Sequence, residues 1–371
     1  MKRLIFFYRK NKLFFICVFT FFIGGQISAQ EWLWQISNPG NYVPGYIKII
    51  SKNYERPYSS VPISPRTLPI HIWYPARSGT NKGMTYMDYV KSDQNATWDG
   101  LPAYKIISNW SEQYLDSAKV TDVSLKLAEL KTASALKAKA APGKFPVILM
   151  GNGLTSPGFV YSLMGEYFAS HGFVVVSYPS LPENSTSRFG FDQRGILNQI
   201  SDIEMVYNEI AKLAFCDIEN LALVAWSFGG ASHILYQMKH NIAKALVSLD
   251  AASQYAYGKD LIVSSVYYDS SSFSTPYLNI TAGGPSRFEV PRSSFFYDTL
   301  AVNKKHLTFS RLSHSHFVAF NQYIIMINQP DQKVKNAYEK MCEVIKLYLQ
   351  AILLNRRDSN IILSSLPAHI D

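Results

Sequence analysis

The chain has 371 residues, 47% of them apolar and 17% charged, with three cysteines. That composition excludes a disordered segment and a disulfide-stapled mini-domain, and the length suits one large domain or two small ones. The formal net charge is +9, but Lys2, Arg3, Arg9, Lys10 and Lys12 crowd the start and no Asp or Glu precedes Gln30. The excess that remains is too small and too scattered for a nucleic-acid surface, so no nucleic-acid partner is expected.

Residues 13–24, LFFICVFTFFIG, form an apolar core behind the basic stretch, and the small or polar residues Gly25 to Ala29 follow. This is the three-part pattern of a secretory signal peptide over 1–29, cleaved after Ala29. The run is short for a bilayer span, so no transmembrane segment is expected after cleavage. An uncleaved anchor is the competing reading. Cys17 lacks the small neighbours of a lipid-modified cysteine. The catalytic domain, 30–371, then keeps Cys216 and Cys342. An oxidising compartment allows them to pair, and two buried thiols are at least as good a reading. Neither has a CxxC neighbour or a His cluster beside it, so no structural zinc is expected.

Along the mature chain, Leu68, Ile70, Ile72 and Tyr74 alternate with their neighbours, which predicts an early half-buried strand. Residues 84–142 follow as an insertion. Aromatic residues (Tyr86, Trp98, Tyr104, Trp110) precede an Ala/Lys-rich run that ends at Pro142-Gly143. One or two helices are expected there. The Lys-rich half reads as a solvated surface, and the aromatic half reads equally as a connector or as a cap over a site.

Short, nearly continuous apolar runs come next: PVILM (146–150), FVVVSY (173–178), LALVAW (221–226), ALVSL (245–249), YLNITA (277–282) and LTFSRL (307–312). Such runs fit strands covered on both faces of a parallel sheet. Helical patterns alternate with them. Residues 156–170 stop before Gly172. Over 196–214, Ile196, Leu197, Ile200, Ile203, Val206, Ile210 and Leu213 are assigned to one face. Further helices are expected over 228–240 and 332–354. The alternation predicts an α/β fold, a mainly parallel central sheet flanked by helices.

The strongest chemical signal lies at 221–235, where a buried strand runs into Ala225-Trp226-Ser227-Phe228-Gly229-Gly230 and then a helix. This is the setting of a nucleophile elbow, G-x-S-x-G, with Ala in the first glycine position. The residues two positions either side of the serine must be small because strand and helix backbones pass close together. The turn presents the Ser227 hydroxyl at the sheet edge and the Phe228 N–H at a helix N-terminus, facing a developing oxyanion. A serine needs a base, and the base an orienting acid; in this arrangement they follow as acid, then His. His314 and His316 both lie in the loop after the last strand, where the base belongs. A metal reading of His-x-His has no third ligand beside it. Asp250, at the end of ALVSL, is the better acid; the next slot offers nothing before Glu289. A second oxyanion donor is expected after PVILM, where Gly151-Asn152-Gly153-Leu154 makes Leu154 N–H the natural choice.

Four stretches together, PVILMGNGL, FASHGFVVVSYP, WSFGGA with LVSLDAA, and RLSHSHFVAF, resemble the secreted, lipoprotein-associated platelet-activating-factor acetylhydrolases and their bacterial relatives. The resemblance covers roughly 144–320 and implies an α/β-hydrolase fold. By position it implies Ser227 as nucleophile, Asp250 as acid, His314 as base, and Leu154 and Phe228 as oxyanion donors. The chain departs from the family in carrying Asn152 where His is usual and Ala225 where Gly is usual.

The resulting expectation is a serine hydrolase exported to a bacterial periplasm or beyond. It would cleave carboxylic esters, short-chain or phospholipid among them, with no cofactor or metal and with a small ester or lipid as its partner. Because fold does not fix function, a dienelactone-type hydrolase, a thioesterase or a peptidase is the enzymatic alternative. A catalytically silent binding protein is the non-enzymatic one.

Overall fold

The computed structural model describes residues 36–60, 62–79, 83–91, 117–187, 190–284 and 291–371. The signal-peptide segment, Trp98, Tyr104, Trp110 and Glu289 lie outside them. Two long strands, β1 (Val43–Ser60) and β2 (Ile63–Ala76), open the described chain as an antiparallel hairpin. β3 (Gly83–Thr85) and β4 (Lys131–Leu136) follow, then the apolar runs as β5 (Phe145–Gly151), β6 (Val174–Ser177), β7 (Cys216–Trp226), β8 (Ala245–Leu249), β9 (Tyr277–Ala282), β10 (Lys304–Phe309) and the short β11 (His369–Ile370).

The helices are α1 (Tyr86–Lys91), α2 (Ser117–Glu129), α3 (Ser162–Ser170), α4 (Gln193–Ile210) and α5 (Phe228–His240). After them come α6 (Ala256–Val263), α7 (Phe295–Thr299), α8 (Ala319–Asn328), α9 (Gln332–Leu353) and α10 (Arg357–Ser365). None among the described residues is long and apolar enough to cross a membrane.

One sheet runs in the order β11-β10-β9-β8-β7-β5-β6-β2-β1-β4-β3. From β6 to β11 every pairing is parallel. Helices α3 and α9 pack on one face, with α8 against α3; α4 and α5 pack on the other. Both faces of the parallel strands are therefore dry, which is why β5, β6 and β8 are buried along their whole length. The chain passes from β5 outward to β6, then returns across β5 to β7. The connections leaving β5 and β7 diverge to opposite faces, and a crevice opens between their C-terminal ends.

Helix α4 begins at Gln193 because the Asp192 carboxylate accepts from Gly195 N–H at 2.8 Å and caps the first turn. Its face of Ile196, Ile200, Ile203, Val206 and Ile210 is buried in the core. Leu197 falls off that stripe and is 36% exposed. Gly172, at φ +93°, ends α3 as expected. Cys216 and Cys342 are buried and unpaired.

The structure corrects two further expectations. Residues 131–136, read as helical, form β4, which pairs parallel with β1 and antiparallel with β3. The insertion near 84–142 is helical in α1 and α2 and sheet at its end. Ala and Lys favour a helix, but pairing with a ready sheet edge outweighs a propensity of a few tenths of a kcal/mol per residue. The early strand is also buried on both faces from Arg66 to Ala76. Its second face is covered by α3, where Gly165 leaves no room for a Cβ beside the Trp73 ring, and by the rings of Tyr46 and Tyr89.

Two buried polar groups tie the layers together. Arg66 and Asp202, each 1% exposed, form a bidentate pair at 2.6 and 2.5 Å. Arg66 also donates to Pro182 O at 2.7 Å, so β2, the 181–183 turn and α4 share one ion pair. Removing one partner strands the other charge in the core, and Asp202→Ala is expected to lower the unfolding free energy by about 3–5 kcal/mol in urea titrations.

On the opposite face, Glu166 of α3 accepts from Tyr89 OH at 2.6 Å. Burial pushes its carboxyl from 4.5 up to about 7, against the hydrogen bonds from Tyr89, Ala133 N–H and Ser134. In the folded protein Glu166 keeps its proton where the unfolded chain has lost it. Stability is therefore expected to fall as pH rises from about 4.5 to about 7, and Glu166→Gln to flatten that slope in melts recorded across the range.

Candidate active site

Ser227 sits between β7 and α5 with φ 57° and ψ −130°, a strained conformation for a side chain with a Cβ. Its own amide donates to Leu249 O at 3.3 Å, and its carbonyl accepts from Ala252 N–H at 2.8 Å. Neighbouring backbones leave little space. A Cβ on Gly229 would lie 2.6 Å from Asn152 O and 2.8 Å from the Gly151 carbonyl carbon. At the other small position stands Ala225, and its register partner on β5 is Gly151. A Cβ on Gly151 would lie 2.7 Å from the Ala225 Cβ. It would lie closer still to the His233 ring, 2.3 and 2.4 Å, so Gly151 makes room for both the ring and the Ala225 methyl.

Asp250 follows β8 at φ 43° and is fully buried. Its Oδ1 accepts from Ala282 N–H at 3.0 Å and Arg292 Nη1 at 2.8 Å; its Oδ2 accepts from Tyr255 OH at 2.7 Å. His314 opens the short turn after β10 and places Nδ1 2.6 Å from Asp250 Oδ2 and Nε2 3.0 Å from Ser227 Oγ. Burial opposes the charge on Asp250. The bond and charge of His314, the Arg292 guanidinium and the Tyr255 hydroxyl outweigh it and hold the carboxyl at about 2. An ionised Asp250 can only accept, so His314 Nδ1 carries the proton it shares and Nε2 is left to accept from the Ser227 hydroxyl. The imidazole is further held by Trp226, whose ring lies 5.0 Å away and whose Nε1 donates to His314 O at 2.9 Å.

His316 points elsewhere. Its Nδ1 accepts from Ser313 N–H at 3.2 Å and its carbonyl accepts from Gln322 at 2.7 Å, so it caps the turn that carries His314. Burial lowers its pKa. His306 lies on β10, bonded to Thr281 at 3.0 Å. Among the described residues no three His, Cys, Asp or Glu side chains are placed to hold a metal.

The turn after β5 crowds the same serine. A Cβ on Gly153 would lie 3.1 Å from the Ser227 Cβ, which puts the main chain leading to Leu154 beside it. Asn152 fastens this turn through Nδ2, which donates to Ser177 Oγ at 3.2 Å and to Tyr178 O. Phe228 is the first residue of α5. The structure thus brings Ser227, Asp250 and His314 into one hydrogen-bonded chain and sets the elements carrying Leu154 and Phe228 around it.

A cleft of about 740 Å³ opens at Ser227 and His314. Phe191, Tyr255, Tyr257 and Leu261 give it an apolar wall, and Asp192 and Asp260 are its carboxylates. Tyr255 and Tyr257 stack at 5.7 Å, and Phe191 sets its edge against Tyr257 at 5.4 Å and Phe228 at 5.3 Å. Tyr255, Arg292 and Phe191 escape a reading of the sequence. They belong to loops with no motif, and only Tyr255, five residues past Asp250, carries a positional hint.

Residues 61–188 match the family described as platelet-activating factor acetylhydrolase, isoform II. The matched span includes the Gly151–Leu154 turn and stops before Ser227. The fold is similar to that of a ferulic acid esterase from Streptomyces cinnamoneus, with a TM-score of 0.62 and 15% identity over 87% of this chain and 94% of that one. No curated protein sequence matches the chain. The chain has the α/β-hydrolase fold, similar in its first part to that acetylhydrolase family.

The elbow's packing makes its two small positions unequal. Gly229→Ala forces Cβ into the main chain of the β5 turn and is expected to cost about 1–3 kcal/mol of stability. Ala225→Gly meets only the conformational cost of a glycine in a strand, about 0.5–1 kcal/mol. Paired denaturant melts compare the two.

Proposed function

We propose that the chain is a serine hydrolase of carboxylic esters. The observation that carries this reading is the run of contacts from Asp250 through His314 to Ser227, 2.6 and 3.0 Å, formed by residues from three separate loops at the end of a parallel sheet. Ser227 Oγ attacks the ester carbonyl while His314 Nε2 takes its proton. Asp250 holds the imidazole tautomer and stabilises the imidazolium. The N–H groups of Leu154 and Phe228 stabilise the tetrahedral oxyanion. His314 then gives its proton to the leaving alcohol, and water, activated by the same imidazole, hydrolyses the acyl-enzyme.

The match to an acetylhydrolase family and the likeness to an esterase both support acyl transfer to water. The aromatic wall of the cleft supports esters with an apolar arm, which lies against Phe191, Tyr255 and Tyr257; short-chain and phospholipid esters are the classes this family match favours. The basic-then-apolar N-terminus supports export to a bacterial periplasm or beyond, with removal of 1–29.

A panel of p-nitrophenyl esters from acetate upward, assayed with wild type and variants, tests the reading. Ser227→Ala and His314→Ala are expected to lower kcat by at least about 10⁴-fold, and His316→Ala by less than about 10-fold. Turnover that survives Ser227→Ala, or equal mild losses in the two histidine variants, would refute the assignment.

A further inference from the structure

Asp250 is the member of the reacting trio removed from solvent, yet its carboxylate carries four hydrogen bonds. Arg292 has a special place among the donors. Residues 291–293 run antiparallel to 254–256: Ala256 N–H donates to Pro291 O at 2.9 Å, Ser293 N–H donates to Gln254 O at 2.8 Å, and Tyr255 and Arg292 form the bridge between them. From that pinned backbone the guanidinium makes three contacts. Nη1 reaches Asp250 at 2.8 Å, Nη2 reaches Ala282 O at 2.9 Å, and its carbon lies 4.8 Å from the Tyr255 ring centre. Tyr255 and Ala282 are themselves donors to Asp250, so Arg292 touches the carboxylate and two of its other partners.

Resting on the serine-hydrolase reading above, we propose that Arg292 is an electrostatic positioning residue: it fixes Asp250 and offsets part of its charge, and so sets where the acidic limb of Ser227 reactivity lies. A buried carboxylate beside an imidazole favours the imidazolium, and a cation on the far side of that carboxylate weakens the preference. The groups facing the pair are Ser227 from the elbow, Tyr255 at the start of α6 and Arg292 from its loop, with Tyr257, Asp192 and Asp260 around the cleft. His306 on β10 stands near Arg292; burial first, and then the Arg292 charge, oppose its protonation. Arg292 is therefore the permanent cation of this set. Its side chain is 42% exposed, so water screens part of its field and the effect is modest.

Without that cation, the charge of Asp250 faces the site unopposed, and the acidic limb of the reaction is expected to move upward. The rate of covalent labelling by a fluorophosphonate, followed against pH, reads this directly in wild type and in Arg292→Gln, Arg292→Met and Arg292→Lys. The Gln and Met limbs are expected to rise by roughly half a unit to one unit, with alkaline-plateau rates reduced less than about 10-fold, and Lys to restore the wild-type limb. Gln keeps an N–H donor toward Asp250 and carries the test when thermal melts show that the Met variant fails to fold. A purely structural Arg292 lowers labelling equally at every pH; an unmoved limb in Gln, or a Lys limb displaced as far as that of Gln, overturns the proposal. Labelling that persists in Ser227→Ala overturns the hydrolase reading itself, and this proposal with it.

Discussion

A serine at φ 57° and ψ −130° persists only where its surroundings allow no alternative. Here the constraint is the close passage of two backbones where strand order reverses. The β5 turn and the start of α5 approach so tightly that Gly229 has no space for a Cβ, and Gly151 has none beside the His233 ring and the Ala225 methyl. The crevice, the presentation of the Ser227 hydroxyl and the nearness of the Gly153–Leu154 main chain follow from that contact. The buried sheet on both sides supplies the free energy that holds the strain.

The second requirement is electrostatic. A carboxylate with no exposed surface stays ionised because donors from four places converge on it: the His314 turn, the Tyr255 loop, the end of β9 and the Arg292 loop. Ionisation in turn sets the proton on His314 Nδ1 and leaves Nε2 for the serine. The same arrangement in water would hold its imidazole loosely; in a dry site each hydrogen bond also fixes a direction. The aromatic wall shares this framework, since Tyr255 both donates to Asp250 and stacks on Tyr257 in the cleft.

Much of this is written locally in the sequence. Strands covered on both faces need continuous apolar runs, so β5 to β9 are visible one by one, and an elbow needs small residues at set offsets around Ser227. Asp250 is visible because it ends such a run. What stays hidden depends on distant partners. His314 and His316 occupy one loop and differ only in where the turn aims them. Residues 131–136 favour a helix until β1 offers an edge. The second face of β2 looks solvent-facing until α3 and its aromatic neighbours cover it. Arg292 and Tyr255 meet Asp250 through a bridge between two loops that no pattern announces.

Cys216 and Cys342 stand apart from all of this, each sealed within the core without a disulfide, and burial pushes the Cys216 thiol up to about 12. Neither sulfur is presented as a thiolate, so neither invites an oxidant. Among the described residues the core is therefore closed by packing alone, and neither of these sulfurs has to be oxidised before the sheet and its helices come together.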